Sequence, residues 1–220
     1  LVRNREYGML TRRDEFWNYP DPATLTQVAP PQAALFDGAE EAPLFSEIDR
    51  LKIVFIDGVF DAEQSDDLSL EGLEIERLSD AMRKDIHWAR DLYGVLETRG
   101  QTPVRRPLAA LNSAFAADGV VIRATGKVSK PVSLIYLHRS ETSDATLHHL
   151  VKVEAGADLT VLENGPAAAR FNKCMEVEVA DGGAFHHVRA QGRDHERRAV
   201  THMFARLGKE STYKSFTLTA

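Results

Sequence analysis

Histidine offers the clearest chemistry in this sequence, because its neutral imidazole is the commonest metal ligand in proteins. The candidates are two adjacent pairs and two single residues, namely His148 and His149, His186 and His187, His195, and His202. Adjacent side chains on a strand point to opposite faces, so such a pair does not readily give one metal ion two ligands. A cupin-type site needs His-x-His followed closely by a carboxylate, and residues 183–187 lack that spacing although Glu196 follows at some distance. We therefore predict no metal site, and we expect exposed or partly buried histidines that face a partner.

Cys174 is the single cysteine, which excludes an internal disulfide and a metal site built only from cysteines. A reactive thiolate requires a nearby cation or helix terminus to lower its pKa. Lys173 is adjacent in sequence, but strand geometry turns it to the opposite face. We therefore predict a packed and inert cysteine, as is common for this residue type.

The remaining charged groups follow no catalytic pattern. A basic stretch with interleaved acids is interpreted as a solvated loop or coil corner, or as a contact with an acidic partner: Arg189, Arg193, Arg197 and Arg198, with Asp194 and Glu196. The pairs Asp66-Asp67 and Glu40-Glu41 fall in polar loops, where solubility explains them. The sequence contains neither a Gly-rich phosphate loop nor a Gly-x-Ser-x-Gly elbow. We predict no catalytic and no cofactor-binding residue.

The overall composition is that of an ordinary globular protein. The 220 residues are 43% hydrophobic and 27% charged, with a formal net charge of −6. A modest negative charge disfavours sequence-independent binding to nucleic acid. No apolar run approaches the roughly 18 residues that cross a bilayer, and the first residues carry no signal-peptide pattern. These features predict a cytoplasmic protein with no nucleic-acid or membrane partner.

Residues 1–117 have a mixed pattern, which predicts an N-terminal helical cap with one β-hairpin. Pro20, Pro22, Pro30 and Pro31 predict a linker or extended surface segment without regular helix. The β-branched run 52–56, the Asp57-Gly58 turn and the return at 59–60 predict the hairpin. Apolar residues at gaps of three and four predict one helix over residues 78–96 and a shorter one over 108–115.

Residues 118–220 show a repeat of strand, glycine and strand. The copies surround Gly156, Gly182 and Gly208, which are spaced by 26 residues, and a looser copy surrounds Gly126. A repeat of this size predicts a mainly β chain in which these residues form the first coils of a right-handed parallel β-helix, truncated at the C-terminus. Evenly spaced short strands also fit a β-sandwich, which stays as the alternative fold.

Five motifs, in order along the chain, resemble the SufB/SufD family of iron–sulfur cluster assembly scaffolds. They are TRRDEFWNY at 11–19, IVFIDGVF at 53–60, LNSAF at 111–115 with DGV at 118–120, KPV at 130–132, and HLV at 149–151 running to GA at 156–157. The first resembles the Arg-x-x-Glu-x-Trp-x-Tyr motif of SufD-like proteins. Together with the Asp57-Gly58 hairpin, Glu15, Trp17 and Tyr19 place the resemblance nearer to SufD than to SufB.

The resemblance implies a scaffold subunit of the SUF complex and not an enzyme. Such a subunit acts with a SufB-like scaffold and a SufC-type ABC ATPase, and an Fe–S cluster passes through the full complex in transit. The histidine with a functional role on the SufD side of the family lies in a later part of the chain than residue 220, so no residue here inherits it.

Two other functions fit parts of the pattern. A cupin-like metal-binding β protein would need tight His spacing, and a β-solenoid acting on carbohydrate would need an acidic or aromatic row along one face. Glu163 and Arg189, at equivalent positions of two repeats, form no such row. The chain also starts at Leu1 and ends in a strand-like run, which we interpret as a piece of a longer protein. An open solenoid end predicts self-association, such as a homodimer.

Overall fold

The computed structural model describes residues 1–11, 22–35, 44–85, 87–165, 167–191 and 196–219. In these residues the helices are α1 (Val2–Tyr7), α2 (Ala23–Thr26), α3 (Leu78–Ala81), α4 (Val95–Arg99) and α5 (Pro107–Phe115), with a 3-10 turn at Trp88–Asp91. The strands are β1 (Leu51–Ile56), β2 (Val59–Asp61), β3 (Leu73–Arg77), β4 (Val120–Ala124), β5 (Val132–Leu137), β6 (Asp144–Val153), β7 (Asp158–Glu163), β8 (Arg170–Val179), β9 (Ala184–Gln191), β10 (Arg198–Leu207) and β11 (Thr212–Thr219). No helix in these ranges combines the length and apolar character needed to cross a bilayer.

The strands form two sheets that the chain visits in turn. Sheet A has the order β11-β9-β7-β5-β1-β2, and sheet B has the order β10-β8-β6-β4-β3. Among strands β4 to β11 every pairing is parallel, and each strand lies beside the equivalent strand one coil away. At the other edge of sheet B, β3 pairs with β4 in antiparallel fashion. The predicted parallel β-solenoid is confirmed. The β-sandwich alternative is wrong, because sandwiches are built from antiparallel strands.

The coils are not all of one length. Asp158 of β7 pairs with Ala184 of β9, a step of 26 residues, but Ala184 pairs with Thr212 of β11, a step of 28. The prediction that the third copy has its turn glycine at Gly208 is therefore wrong, because the equivalent position lies two residues later. Gly156 and Gly182 adopt positive φ values of 71° and 66°, and the equivalent turn position in the next coil belongs to Glu210, with φ of 55°.

The interior of the solenoid is built from alternate residues of each strand, since side chains on a strand alternate between faces. These inward residues form one large apolar cluster that includes Phe55, Ile122, Leu134, Leu159 and Phe171. Because the other coils cover them on both sides, their exposed fractions are 1% or less. This alternation determines which polar side chains also point inwards.

The hairpin at Asp57-Gly58 is confirmed, with Ile56 paired to Val59. Both turn residues have positive φ, 50° and 83°, as the twist-matched two-residue turn requires. A Cβ on Gly58 would lie 2.3 Å from the Cβ of Ala145, so the turn also packs closely against β6. β1 pairs in parallel with β5, so the hairpin extends sheet A. The division into a cap of residues 1–117 and coils from 118 stays a prediction.

The helix predicted over residues 108–115 is confirmed as α5, but the long helix over 78–96 is wrong. The chain there forms α3, the 3-10 turn and α4 as separate short pieces. His87 is extended, with φ of −153°, and Gly94 is left-handed, with φ of 70°, so neither allows a continuous helix. The apolar stripe still packs as one cluster, because Leu78, Leu92 and Leu96 all lie against sheet B.

The proline-rich stretch also differs from expectation. A one-turn helix, α2, follows Pro22 inside a segment that was expected to hold no regular helix. Proline is tolerated at the start of a helix, because the N–H groups of the first turn have no acceptor within the helix. Pro22 therefore precedes the turn without interrupting it.

Candidate functional site

Polar side chains enter the interior of the solenoid at one side of the coils. We call the following six residues the lumen cluster: Tyr136, His149, Glu163, Lys173, His187 and Arg189. Each occupies an inward position on its strand, in the same alternation as apolar neighbours such as Val161 and Phe171. All six are less than 9% exposed, so protein groups must replace the water that would otherwise solvate them.

Glu163 is the centre of the lumen cluster. Its carboxylate pairs with the ammonium of Lys173, and it accepts hydrogen bonds from His187 Nε2 at 3.0 Å and from Tyr136 Oη at 3.1 Å. Burial acts to raise the pKa of Glu163, but Lys173 and the His187 hydrogen bond outweigh it and hold the pKa well below its ordinary value. Glu163 is therefore ionised, and Lys173 is its counterion.

The proton positions in the cluster follow from its partners. The N–H of Val120 donates to His149 Nδ1 at 3.1 Å, so Nε2 of this ring carries the proton. That Nε2 lies 2.9 Å from Tyr136 Oη, which in turn donates to Glu163. Burial lowers the pKa of His149 to about 3, which keeps the ring neutral. On the other side of Glu163, His187 Nδ1 lies 3.1 Å from Ser215 Oγ.

Arg189 is the second cation of the lumen cluster. Its Nη1 donates to Thr201 Oγ1 at 2.6 Å and its Nη2 donates to Gln191 Oε1 at 2.7 Å. Because Arg189 pairs with Glu163 in the strand register, opposite charges lie side by side between two coils. Hydrogen bonds link the other five members of the lumen cluster across both sheets, and Arg189 adds a second cation beside them.

A second polar cluster lies on the outer face of sheet B, beneath the helices. We call Asn112, His148 and Glu176 the cap clasp. The carboxylate of Glu176 accepts backbone N–H groups from Gly94, Leu96 at 2.7 Å and Glu97 at 2.9 Å, so a residue of β8 caps the start of α4. His148 Nε2 donates to the same carboxylate at 2.8 Å.

Both ring nitrogens of His148 take part in the cap clasp. Asn112 Nδ2 donates to the carbonyl oxygens of Leu147 and Asn172, each at 3.0 Å, so its Oδ1 is the atom that faces His148 Nδ1 at 2.9 Å. One ring nitrogen of His148 therefore lies beside an amide oxygen, and the other lies beside the carboxyl group of Glu176. These buried contacts of His148 and Glu176 fasten α4 and α5 to sheet B.

The predicted opposite orientation of adjacent residues is confirmed. His149 enters the lumen while His148 faces the cap, and His187 enters the lumen while His186 lies 3.7 Å from Asp158 on the outer face. The expectation of exposed or partly buried histidines is wrong for three of them, since His148 and His149 are 0% exposed and His187 is 3% exposed.

Cys174 is packed as predicted. It is fully buried between His148 and His202 in the strand register, and burial raises the pKa of its thiol well above the ordinary value. Lys173 lies on the opposite face, as strand geometry required. The interpretation of Arg189 as part of a solvated loop is wrong, because it is 8% exposed inside the solenoid.

Several predicted features lie outside the described residues, namely residues 12–19 of the first motif, Pro20, the pair Glu40-Glu41, Arg193, Asp194 and His195. In the part of the chain that is described, no three or more His, Cys, Asp or Glu side chains are grouped to hold a metal ion. The predicted absence of a metal site stays a prediction.

The lumen cluster was missed at the sequence level, although a signal for part of it existed. Glu163 follows Leu159 and Val161 at the same two-residue spacing, which places a carboxylate on the inward face of β7. An inward charge needs a buried partner, but the partner Lys173 comes from β8 in the other sheet. Spacing along the chain does not show which strands face each other across the lumen.

Part of the chain matches a model of a known protein family. Residues 136–220 match the family model described as SUF system FeS cluster assembly, SufBD core domain. The matched residues run from β5 to the end of the described strands, and they include the whole lumen cluster. The match covers less than half of the chain and supports the SufB/SufD family for the coils. No curated protein matches the chain.

Proposed function

We propose that this chain is a scaffold subunit of a SUF-type iron–sulfur cluster assembly complex. The observation that carries the proposal is the match of residues 136–220 to the SufBD core domain, over the same residues that form the parallel coils. In this role the chain works in the cytoplasm with a SufB-like scaffold and a SufC-type ATPase. The Fe–S cluster is cargo of the assembled complex, and ATP hydrolysis belongs to the ATPase.

The contacts of the two polar clusters support a structural role. Glu163 pairs with Lys173 and His187 inside the solenoid, and His148 pairs with Glu176 beneath the cap. Buried polar networks whose members are all paired make a protein interior rigid. A rigid frame suits a subunit that positions partners. We therefore assign no catalytic residue to this chain.

A SufD-like rather than SufB-like identity is the finer part of the proposal. The hairpin at Asp57-Gly58 supports it, as do Glu15, Trp17 and Tyr19 in the sequence. Contact with a partner scaffold and formation of a homodimer are further parts of the proposal.

Co-purification tests the proposal. A tagged form of this chain is co-expressed with a SufB-like scaffold and a SufC-type ATPase, and we expect all three to co-elute on gel filtration. Phe216 on β11 is 59% exposed, and Met82 near α3 is 45% exposed. If partners contact the exposed face of β11, Phe216→Glu weakens co-elution, whereas the matched Met82→Glu variant does not.

Metal analysis separates the alternatives. The scaffold proposal expects iron and acid-labile sulfide to depend on the assembled complex. The proposal is overturned if the tagged chain elutes without either partner when both partners are co-expressed. Stoichiometric metal on the isolated chain would instead favour a metal-binding β protein. Light scattering on the isolated chain measures the homodimer directly.

A further inference from the structure

A cavity of about 470 Å³ lies between the loop of residues 100–106 and the outer face of β10. This loop follows α4, and Gly100 brings it so close to β10 that a Cβ there would lie 2.2 Å from the Phe204 ring. The lining includes Thr102, Val104, Arg106, His202 and Phe204. None of the described residues that line it is acidic. The volume is within the range of small-molecule pockets, which is roughly 300–1,000 Å³.

Arg106 is the charge in this cavity. Its Nη1 donates to the carbonyl oxygens of Gly100 and Val104, the latter at 3.2 Å. The other three N–H donors, on Nε and Nη2, have no partner within the described chain, and no carboxylate pairs with the guanidinium there. Nε and Nη2 form the edge that binds a carboxylate or phosphate through two parallel hydrogen bonds.

His202 provides a second unpaired group in the cavity wall. Its Nδ1 is buried and has no hydrogen-bond partner, which is rare for a buried polar atom. Burial, and then the nearby Arg106 cation, lowers the pKa of His202 to about 4, so the ring is neutral. Its ring lies parallel to that of Phe204, with 6.3 Å between the centroids. The wall therefore combines an unpaired nitrogen with a flat apolar surface.

We propose that this cavity is a binding site for a small organic oxyanion, in which Arg106 binds the anionic group and Val104 and Phe204 contact a compact apolar body. A carboxylate and a phosphate ester share this chemistry, and the geometry of the Arg106 edge suits both. Arg99 borders an adjoining cavity of about 420 Å³ that shares Gly100 and Phe204, and it adds positive charge near the mouth. No residue of the lumen cluster lines this cavity, and the site does not depend on the proposed assembly role.

Titration of the 220-residue chain with benzoate and with phenyl phosphate tests the site, at constant ionic strength and with benzyl alcohol as the uncharged control. The readout is the ring signals of His202 in NMR spectra, together with affinity from calorimetry. We expect at least one anion to shift the His202 signals, and benzyl alcohol to leave them unchanged. The probe that binds assigns the anionic group to the carboxylate or the phosphate class.

Three variants connect the binding to Arg106. Arg106→Gln removes the charged pair of hydrogen bonds, so we expect affinity to fall about tenfold or more. Arg106→Lys keeps the charge and a donor for the loop carbonyls but loses the fork, and it should also bind more weakly. Arg105→Gln is the matched control, because Arg105 lies over the Tyr7 ring, 5.2 Å from its centroid, and does not line the cavity. We expect it to bind as the wild type does.

The proposal is overturned if neither anion shifts His202 up to its solubility limit. It is also overturned if benzyl alcohol binds as tightly as the anions, or if Arg105→Gln and Arg106→Gln weaken binding equally. If the NMR signals of Arg106→Lys are dispersed as in the wild type, that variant is folded. Any loss of binding in it is then not caused by unfolding. These outcomes are independent of co-elution with SUF partners.

Discussion

The fold should become less stable as the pH falls below neutrality because His149 is buried as a neutral ring. Its folded pKa of about 3 lies below the ordinary value of 6.5, so the unfolded chain takes up the proton first. The contribution of His149 to stability is therefore fully present above about pH 6.5, and it is lost as the pH falls towards 3. His149→Gln removes this titration, since the amide is neutral at every pH.

The size of the effect follows from proton linkage. Between pH 6.5 and 5, protonation of the unfolded His149 alone lowers the free energy of unfolding by roughly 1.6 kcal/mol. His202, with a pKa of about 4, loses nearly the same amount in this interval. Glu163 acts in the same direction at lower pH, because its folded pKa is also lowered. Measurements above pH 5 therefore isolate the histidines.

Urea denaturation at several pH values in this interval measures the effect. Between pH 6.5 and 5, we expect the free energy of unfolding of His149→Gln to fall by roughly 1.6 kcal/mol less than that of the wild type. Tyr136→Phe is the control, because it removes a hydrogen-bond partner of His149 but leaves the ring buried. That variant should be less stable at all pH values and keep the wild-type slope. An unchanged slope in His149→Gln would refute a neutral, buried His149.

Two further predictions concern the buried carboxyl groups of Glu163 and Glu176. Glu163→Gln and Lys173→Met each leave an unpaired buried charge and should lower the free energy of unfolding by about 3–5 kcal/mol. In a double-mutant cycle measured by urea denaturation, the double variant should lose less stability than the sum of the two single variants. Strict additivity would contradict the pairing. Glu176→Gln should loosen the start of α4, seen as faster hydrogen exchange of the Leu96 and Glu97 amides, while Glu178→Gln on the same strand should not. Equal exchange rates in the two variants would count against the cap clasp.

Local features of the chain were enough to predict most of the strands. The hairpin at Asp57-Gly58 was predictable because two residues with positive φ are needed there, and Asp-Gly meets that need. The coils were predictable because each repeat places its glycine turn and its β-branched runs at matching offsets. The length of the last coil was not, because Glu210 takes the left-handed turn position without a glycine to mark it.

The helical region shows where periodicity fails. Residues 78–96 have apolar residues at helical spacing, yet Gly94 and His87 divide them into separate pieces. The apolar residues still pack together against sheet B. Short helices and turns cover the apolar face of this sheet as well as a single helix would. Spacing thus predicted which residues are buried, but not the backbone that carries them.

The partners of the buried polar groups were decided by the tertiary structure. The sequence by itself determined that Glu163 faces inwards and that His148 and His149 face opposite ways, because alternation along a strand is a local property. It did not determine that Lys173, from the opposite sheet, would neutralise Glu163, or that Glu176 would cap a helix about 80 residues earlier in the chain. Those partners depend on how the coils stack and where the cap docks. A buried charge is stable only when such distant parts of the chain meet, so its partner is a property of the fold rather than of the local sequence.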